Sequence, residues 1–207
     1  MVLIAYPPPT RPVSPAITIL APGTRLIRIY DPTKYNTRAT TFRYYGPLGR
    51  FDHHQHSLSS PAIDVNRGIN YWGLNLSCCL VEVFGDTGII EIERQQVGIV
   101  ELSQSIKLLE LRGSGAMKAG SVSALSSVPD RELSQAWSRY FYENPALYDE
   151  IDGIIFSNAH NQDTALALYE RAESKLQAAR IQSIPLSAES LQHLIAECAL
   201  AHGLIFL

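Results

Sequence analysis

The alternation of apolar and polar positions marks out the ordered part of this chain. TRLIRIY (24–30) places Leu26, Arg28 and Tyr30 on one face and so predicts a strand. A second strand is predicted over 41–46 at most, ending at Gly46-Pro47, and a loop rich in histidine, serine and proline runs from there to about Asn66. A short strand over Ile69 to Trp72 leads into LNLSCCLVEVFG, which reads as a buried helix with Gly85 as its C-terminal stop. VGIVEL and SIKLLEL read as two further strands, followed by the turn-rich RGSGAMKAGSVSALSS. Asp130 can cap a helix in which Leu133, Ala136, Trp137, Tyr140 and Phe141 fall at i, i+3, i+4, i+7 and i+8. IDGIIF and TALALYE read as short core strands. The chain closes with a helix carrying Leu191, Leu194, Ile195, Cys198 and Ala199 on one face and stopped by Gly203. Elements that mix without strict alternation predict an α+β domain rather than a doubly wound sheet.

Composition narrows the setting. A chain of 207 residues most simply makes one domain, and 46% apolar with 18% charged residues is enough for a real core. Residues 1–23 carry six of the twelve prolines, which predicts an extended arm, laid on the domain or left mobile, ahead of a domain spanning 24–207. The net charge of −3 gives no global attraction to nucleic acid or an anionic membrane, so any polyanion must be handled by a few placed arginines. Of the three cysteines, Cys78 and Cys79 are adjacent and Cys198 is left over; the odd count and the lack of a C-x-x-C pair argue against a disulfide framework or a structural zinc. No stretch approaches the ~20 apolar residues of a membrane span. A soluble cytoplasmic protein is expected.

The most suggestive polar stretch is GPLGRFDHHQ (46–55). It reads as a metal site, as an anion-binding loop presenting Arg50, or as a polar turn. His53, His54 and His56 beside Asp52 could bind zinc or iron, yet loop spacing presets no coordination geometry, and a polar loop with one structural histidine is the better reading. GSGAMKAG (113–120) lacks the ending of a phosphate loop and reads as a flexible turn. Glu82 falls at i+8 from Leu74 and i+4 from Cys78, so it lies on a partly apolar helix edge, either shielded from water or curled out to solvent. Arg28 sits within an apolar strand, Tyr71 ends a strand just before the Glu82 helix, and Ser157 ends the apolar run GIIF. Each has an ordinary structural explanation. As a set they suit a dinucleotide: arginine forks match phosphate oxygens, an aromatic face stacks on a nicotinamide ring, and a carboxylate stabilises positive charge on a sugar as its glycosidic bond breaks.

With those residues in place, residues 25 to 170 resemble the RES domain family, NAD-degrading toxins of bacterial toxin–antitoxin pairs with an ADP-ribosyltransferase-like fold. RLIRIYDP resembles its opening strand, GRFDHH its G-R-W-N-like turn, NYWGLNLSCCLVEVFG its strand and glutamate helix, and DGIIFSNAHN its late strand ending in serine. Phe51-Asp52 replaces the usual W-N, and His53-His54 is additional. The resemblance implies an α+β single domain with a split mixed sheet. It implies NAD as substrate rather than as cofactor, cleaved at the nicotinamide–ribose bond by phosphorolysis or hydrolysis, with inorganic phosphate as a co-substrate in the first case. It implies Arg28 and Arg50 on phosphates, Tyr71 on the nicotinamide side, Glu82 on the ribose, Ser157 orienting substrate, and no metal. It also implies a protein antitoxin of helix-turn-helix type, no direct nucleic-acid or membrane contact, and leaves a homodimer open. Two alternatives stay open: an ADP-ribosyltransferase acting on a macromolecule, and a non-catalytic nucleotide-binding module.

Overall fold

The computed structural model describes residues 3–207. The chain begins with strands β1 (Ile17–Leu20), β2 (Arg25–Tyr30), β3 (Tyr45–Gly46), β4 (Ala62–Ile63) and β5 (Ile69–Gly73), then helix α1 (Leu76–Phe84). Strands β6 (Ile89–Ile90), β7 (Gln96–Glu101) and β8 (Ile106–Glu110) precede helices α2 (Ser114–Lys118), α3 (Arg131–Glu143) and α4 (Pro145–Tyr148). The remainder is β9 (Gly153–Ser157), β10 (Thr164–Tyr169), α5 (Glu173–Gln177), β11 (Arg180–Pro185), α6 (Glu189–His202) and β12 (Ile205–Phe206).

Eight strands form one sheet in the order β1-β8-β9-β10-β5-β2-β7-β11. Only β8 and β9 run parallel; the other neighbours are antiparallel, which makes the sheet mixed. The apolar runs GIIF and TALALY have no polar alternation because both faces are covered. Ile154, Phe156, Ala167 and Tyr169 pack towards Leu133, Trp137 and Phe141 of α3. Their neighbours Ile155, Leu166 and Leu168 pack on the other face with Leu26, Leu108 and Leu176. A third cluster joins Leu80 and Phe84 of α1 to Ile195, Cys198 and Ala199 of α6.

One irregularity in the sheet decides where a ligand can enter. β2 and β5 meet at a single register pair, Ile27 opposite Gly73, and then part. Residues 39–43 wedge the fork open. Arg43 exchanges both backbone bonds with Ile69 (2.9 and 3.0 Å), and Arg28 donates from Nη1 to the carbonyls of Ala39 (2.7 Å) and Thr41 (3.1 Å). This explains why the strand predicted over 41–46 is largely absent. Its backbone pairs only at Arg43 and in the two-residue β3, since the rest fills the fork.

The helices begin and end for local reasons. The Asn75 side chain accepts from the Cys78 amide (2.7 Å) to start α1, and Asp130 accepts from the Leu133 amide (3.1 Å) to start α3. α6 ends at Gly203 in the left-handed region (φ 67°). Gly85 closes α1 with right-handed geometry (φ −62°), and the left-handed turn comes three residues later at Gly88 (φ 69°). Leu194, expected on the inner face of α6, is 51% exposed. Regular structure also starts before Thr24, because Ile17–Leu20 pairs with β8. The preceding prolines lie on the domain: Trp137 Nε1 donates to the Ala5 carbonyl (2.8 Å), and Arg11 to those of Met117 (3.1 Å) and Ser121 (3.3 Å). The stretch read as turn-rich holds α2 and a 3₁₀ turn over Ser123–Ser126.

Candidate active site

A cleft of about 250 Å³ opens in the fork between β2 and β5. Beyond the pair Ile27–Gly73, the next residues that would pair are Arg28, Ile29, Trp72 and Tyr71, and all four line the cleft. Helix α1 supplies the opposite wall with Cys78, Cys79, Glu82 and Val83; Phe156 and Ala165 close the back. Three residues singled out in the sequence, Arg28, Tyr71 and Glu82, therefore meet in one depression.

Among the described residues, Glu82 is the only acid lining the cleft. Its side chain reaches solvent as a whole, but the surrounding protein raises the carboxyl pKa by desolvation, with Asp86 adding to the rise and His160 and Arg50 opposing it. The residue lines the cleft while remaining exposed overall, so the sequence reading of a helix-edge glutamate open to solvent holds together with partial desolvation of its carboxyl. Arg28 is pushed down to about 10 by burial and by Arg43, and still carries its charge at neutral pH. Its Nη1 is committed to the carbonyls of Ala39 and Thr41.

Tyr71 has its ring in the cleft and its hydroxyl elsewhere. The hydroxyl donates to Asp52 Oδ1 (2.7 Å) and accepts from the Phe51 amide (3.0 Å). Burial and the adjacent Asp52 carboxylate raise its pKa well above the ordinary phenol value. Cys78 is pushed up to about 12 by burial, and Cys79 further, so neither thiol offers a thiolate nucleophile.

Arg50 stands beside this cleft on the turn GPLGRFDHHQ. Burial and Arg131 lower its pKa, while the charges of Glu82 and Tyr71 raise it, which sets all four groups in one electrostatic neighbourhood. Its Nη1 donates to the Val128 carbonyl. Gly49 is required by close approach: a Cβ there would lie 2.7 Å from the Tyr71 hydroxyl oxygen. The histidine stretch is a loop whose later part, Gln55 to Ser60, is polar and largely exposed with His56 half-buried, but it holds two structural histidines where one was expected. His53 and His54 are fully buried, His53 Nε2–H donating to Glu170 (2.9 Å), and burial lowers the pKa of both, that of His54 to about 4. Among the described residues, no group of three or more His, Cys, Asp or Glu side chains gathers as a metal site.

Ser157 is not brought into this cleft. Its neighbour Phe156 lines the cleft, whereas Ser157 lines a separate cavity of about 310 Å³ with Arg112, Ser126 and Gln162.

The sequence pattern of the RES domain matches residues 25–192. The chain belongs to the RES domain family. Similarity runs from β2 into the start of α6, further than the 25–170 stretch that carries the motifs. The chain is also similar to "Probable toxin y4kH" of Sinorhizobium fredii (strain NBRC 101917 / NGR234), with 32% identity over 90 residues, 43% of this chain and 68% of that protein. Its fold matches a chain in the crystal structure of the M. tuberculosis MbcT–MbcA toxin–antitoxin complex, at a TM-score of 0.53 and 13% identity over 83% of this chain and 88% of that one. The single-domain α+β architecture with a mixed sheet is thus a fold this RES domain shares with that chain.

Within the RES domain, sequence reasoning missed the residues that hold the Arg50 turn. Four consecutive carbonyls of the turn accept from four side chains of α3. Leu48 O takes Arg131 Nη1 (3.2 Å), Gly49 O takes Gln135 Nε2 (2.8 Å), Arg50 O takes Ser134 Oγ (2.7 Å) and Phe51 O takes Ser138 Oγ (2.7 Å). Ser134, Gln135 and Ser138 are buried. The available signal was a second helical stripe, polar and at i, i+3, i+4 and i+7 from Arg131, beside the apolar one.

Proposed function

We propose that this RES protein degrades NAD at the nicotinamide–ribose bond, with phosphate or water as the acceptor, and acts as the toxin of a toxin–antitoxin pair. What supports the reading is the meeting of Glu82 and Arg28 in the cleft at the sheet fork, with Arg50 beside the cleft and near enough for its charge and that of Glu82 to act on each other. The cleft of about 250 Å³ is just below the ~300–1,000 Å³ of usual small-molecule pockets, which suits one end of a dinucleotide better than the whole. The nicotinamide ring packs on Tyr71 and the ribose meets Glu82, while the phosphates lie towards the arginines. As the bond from C1″ of the ribose to the nicotinamide nitrogen lengthens, the bonding pair leaves with nicotinamide as a neutral base. Positive charge then builds on the sugar. The ionised Glu82 carboxylate stabilises that charge from a fixed position. Nicotinamide needs no proton to depart, and the cleft accordingly needs no general acid. Attack by a phosphate oxygen at C1″ gives ADP-ribose 1″-phosphate; attack by water gives ADP-ribose and releases a proton.

The toxin role is supported by family membership and by the name of the Sinorhizobium relative. A helix-turn-helix antitoxin and a cytoplasmic site of action belong to the same proposal. No helix of the described residues is long and apolar enough to cross a membrane. The test is product analysis of labelled NAD with the purified protein, with and without inorganic phosphate. ADP-ribose 1″-phosphate only when phosphate is present identifies phosphorolysis, and free ADP-ribose in both conditions identifies hydrolysis. Label held on protein or nucleic acid in a lysate would replace the reading by transfer to a macromolecule.

A further inference from the structure

After the end of β3 at Gly46 the turn from Pro47 to Arg50 has no regular structure of its own, yet most of its polar backbone atoms are held, and the ties of its amides meet at Asp52. Asp52 is fully buried. Its Oδ2 accepts from the amides of Leu48 (2.6 Å) and Gly49 (2.9 Å) and from Arg43 Nη2 (2.7 Å), and its Oδ1 accepts from the Tyr71 hydroxyl (2.7 Å). Tyr71 in turn accepts from the Phe51 amide (3.0 Å). One carboxylate therefore fixes the amides before Arg50 directly and the amide after it through Tyr71, while α3 holds the carbonyls. A buried carboxylate with four charge-assisted bonds is an expensive device for a surface turn. The turn carries one charged side chain, Arg50, which it presents beside the cleft that Glu82 lines.

We propose that Asp52 is a positioning residue for Arg50, acting with the Tyr71 hydroxyl to preorganise the anion-binding fork. The hydroxyl of Tyr71 belongs to this framework, and only its ring faces substrate. The proposal rests on the NAD reading for what Arg50 binds, but not for how Arg50 is held. It follows that Asp52 acts on a bound anion through Arg50, so removing both residues weakens pyrophosphate binding no more than removing Arg50 alone.

The experiment is a double-mutant cycle of Asp52→Ala and Arg50→Ala in the full chain. Two readouts are taken: binding of inorganic pyrophosphate by calorimetry, and amide hydrogen exchange over residues 48–52. Asp52→Ala is expected to weaken pyrophosphate binding at least about tenfold and to speed exchange of the Leu48, Gly49 and Phe51 amides by a similar factor, with exchange in β9 and β10 unchanged. The double variant should bind within about twofold of Arg50→Ala. Asp52→Asn keeps one oxygen for the turn amides but turns an NH₂ towards Tyr71, and should fall between wild type and Asp52→Ala; it takes over the cycle if the alanine variant fails to fold. Losses that multiply in the double variant, or unchanged exchange over 48–52, overturn the proposal. If the wild-type protein neither binds pyrophosphate nor consumes NAD, the substrate reading fails, and the exchange readout alone decides whether Asp52 holds the turn.

Discussion

Glu82 illustrates how much a single side chain depends on its surroundings for its chemistry. Desolvation in the cleft raises its pKa, and the nearby Arg50 and His160 only partly offset this. The sign has two consequences. If the ionised carboxylate is needed, kcat/KM should fall on acidification through a pKa above the ordinary 4.5, and Glu82→Gln should abolish that limb along with most of the activity. A carboxyl whose folded-state pKa is raised also opposes folding once it ionises. That cost is absent below the unfolded pKa and fully present above the folded one. Glu82→Gln should therefore leave the thermal midpoint at neutral pH equal to or above that of the wild type, and the difference should vanish in acid. An acid limb at or below the ordinary glutamate value, or a clear loss of stability in the variant, would contradict this placement. The sequence showed that Glu82 lay on an apolar edge, but not which way the carboxyl turned, because that depends on the fork across from α1.

At the scale of elements, α3 has two functions on two stripes. Leu133, Trp137 and Phe141 build the core, and Arg131, Ser134, Gln135 and Ser138 hold the Arg50 turn. The apolar stripe was legible from its period. The polar one was not, since buried serine and glutamine are recognised only by what they bond, and their partners are backbone carbonyls more than 80 residues earlier (|i−j| of 83 to 87). Ser138 is the sharpest test. Its hydroxyl donates to the Phe51 carbonyl (2.7 Å) and lies 3.0 Å from the Tyr169 hydroxyl, all in the interior. Ser138→Ala leaves that carbonyl unsatisfied and should lower stability by about 1–3 kcal/mol, read as a fall in thermal midpoint of roughly 2–4 °C per kcal/mol. An unchanged midpoint would mean that the α3 clamp contributes nothing to the fold. The strand expected over 41–46 failed for a related reason: its apolar and aromatic residues suit a strand, but the Arg28 and Arg43 contacts draw the backbone into the fork.

Across the whole molecule, the site arises from a departure from regular sheet structure. Had β2 and β5 continued to pair past Ile27 and Gly73, ladder bonds would occupy the space that Arg28, Ile29, Tyr71 and Trp72 now line. The sequence announced both strands and the glutamate helix, and so the residues of the cleft. Strand order and the split are non-local, and no local pattern announced them, nor the edge strand β11 with its exposed residues. The same limit applies to Ser157: its strand was legible, but the cavity into which the strand end opens was not. In the proposed reaction this fork is where NAD is broken down, with Glu82 as the group that stabilises the charge. The most direct measurement is the rate of NAD loss with purified wild type and Glu82→Gln at equal, folded concentration. NAD loss is expected with the wild type, and a rate lower by about 10²–10³ in the variant. Equal rates in the two proteins, or no NAD loss with the wild type, would contradict it.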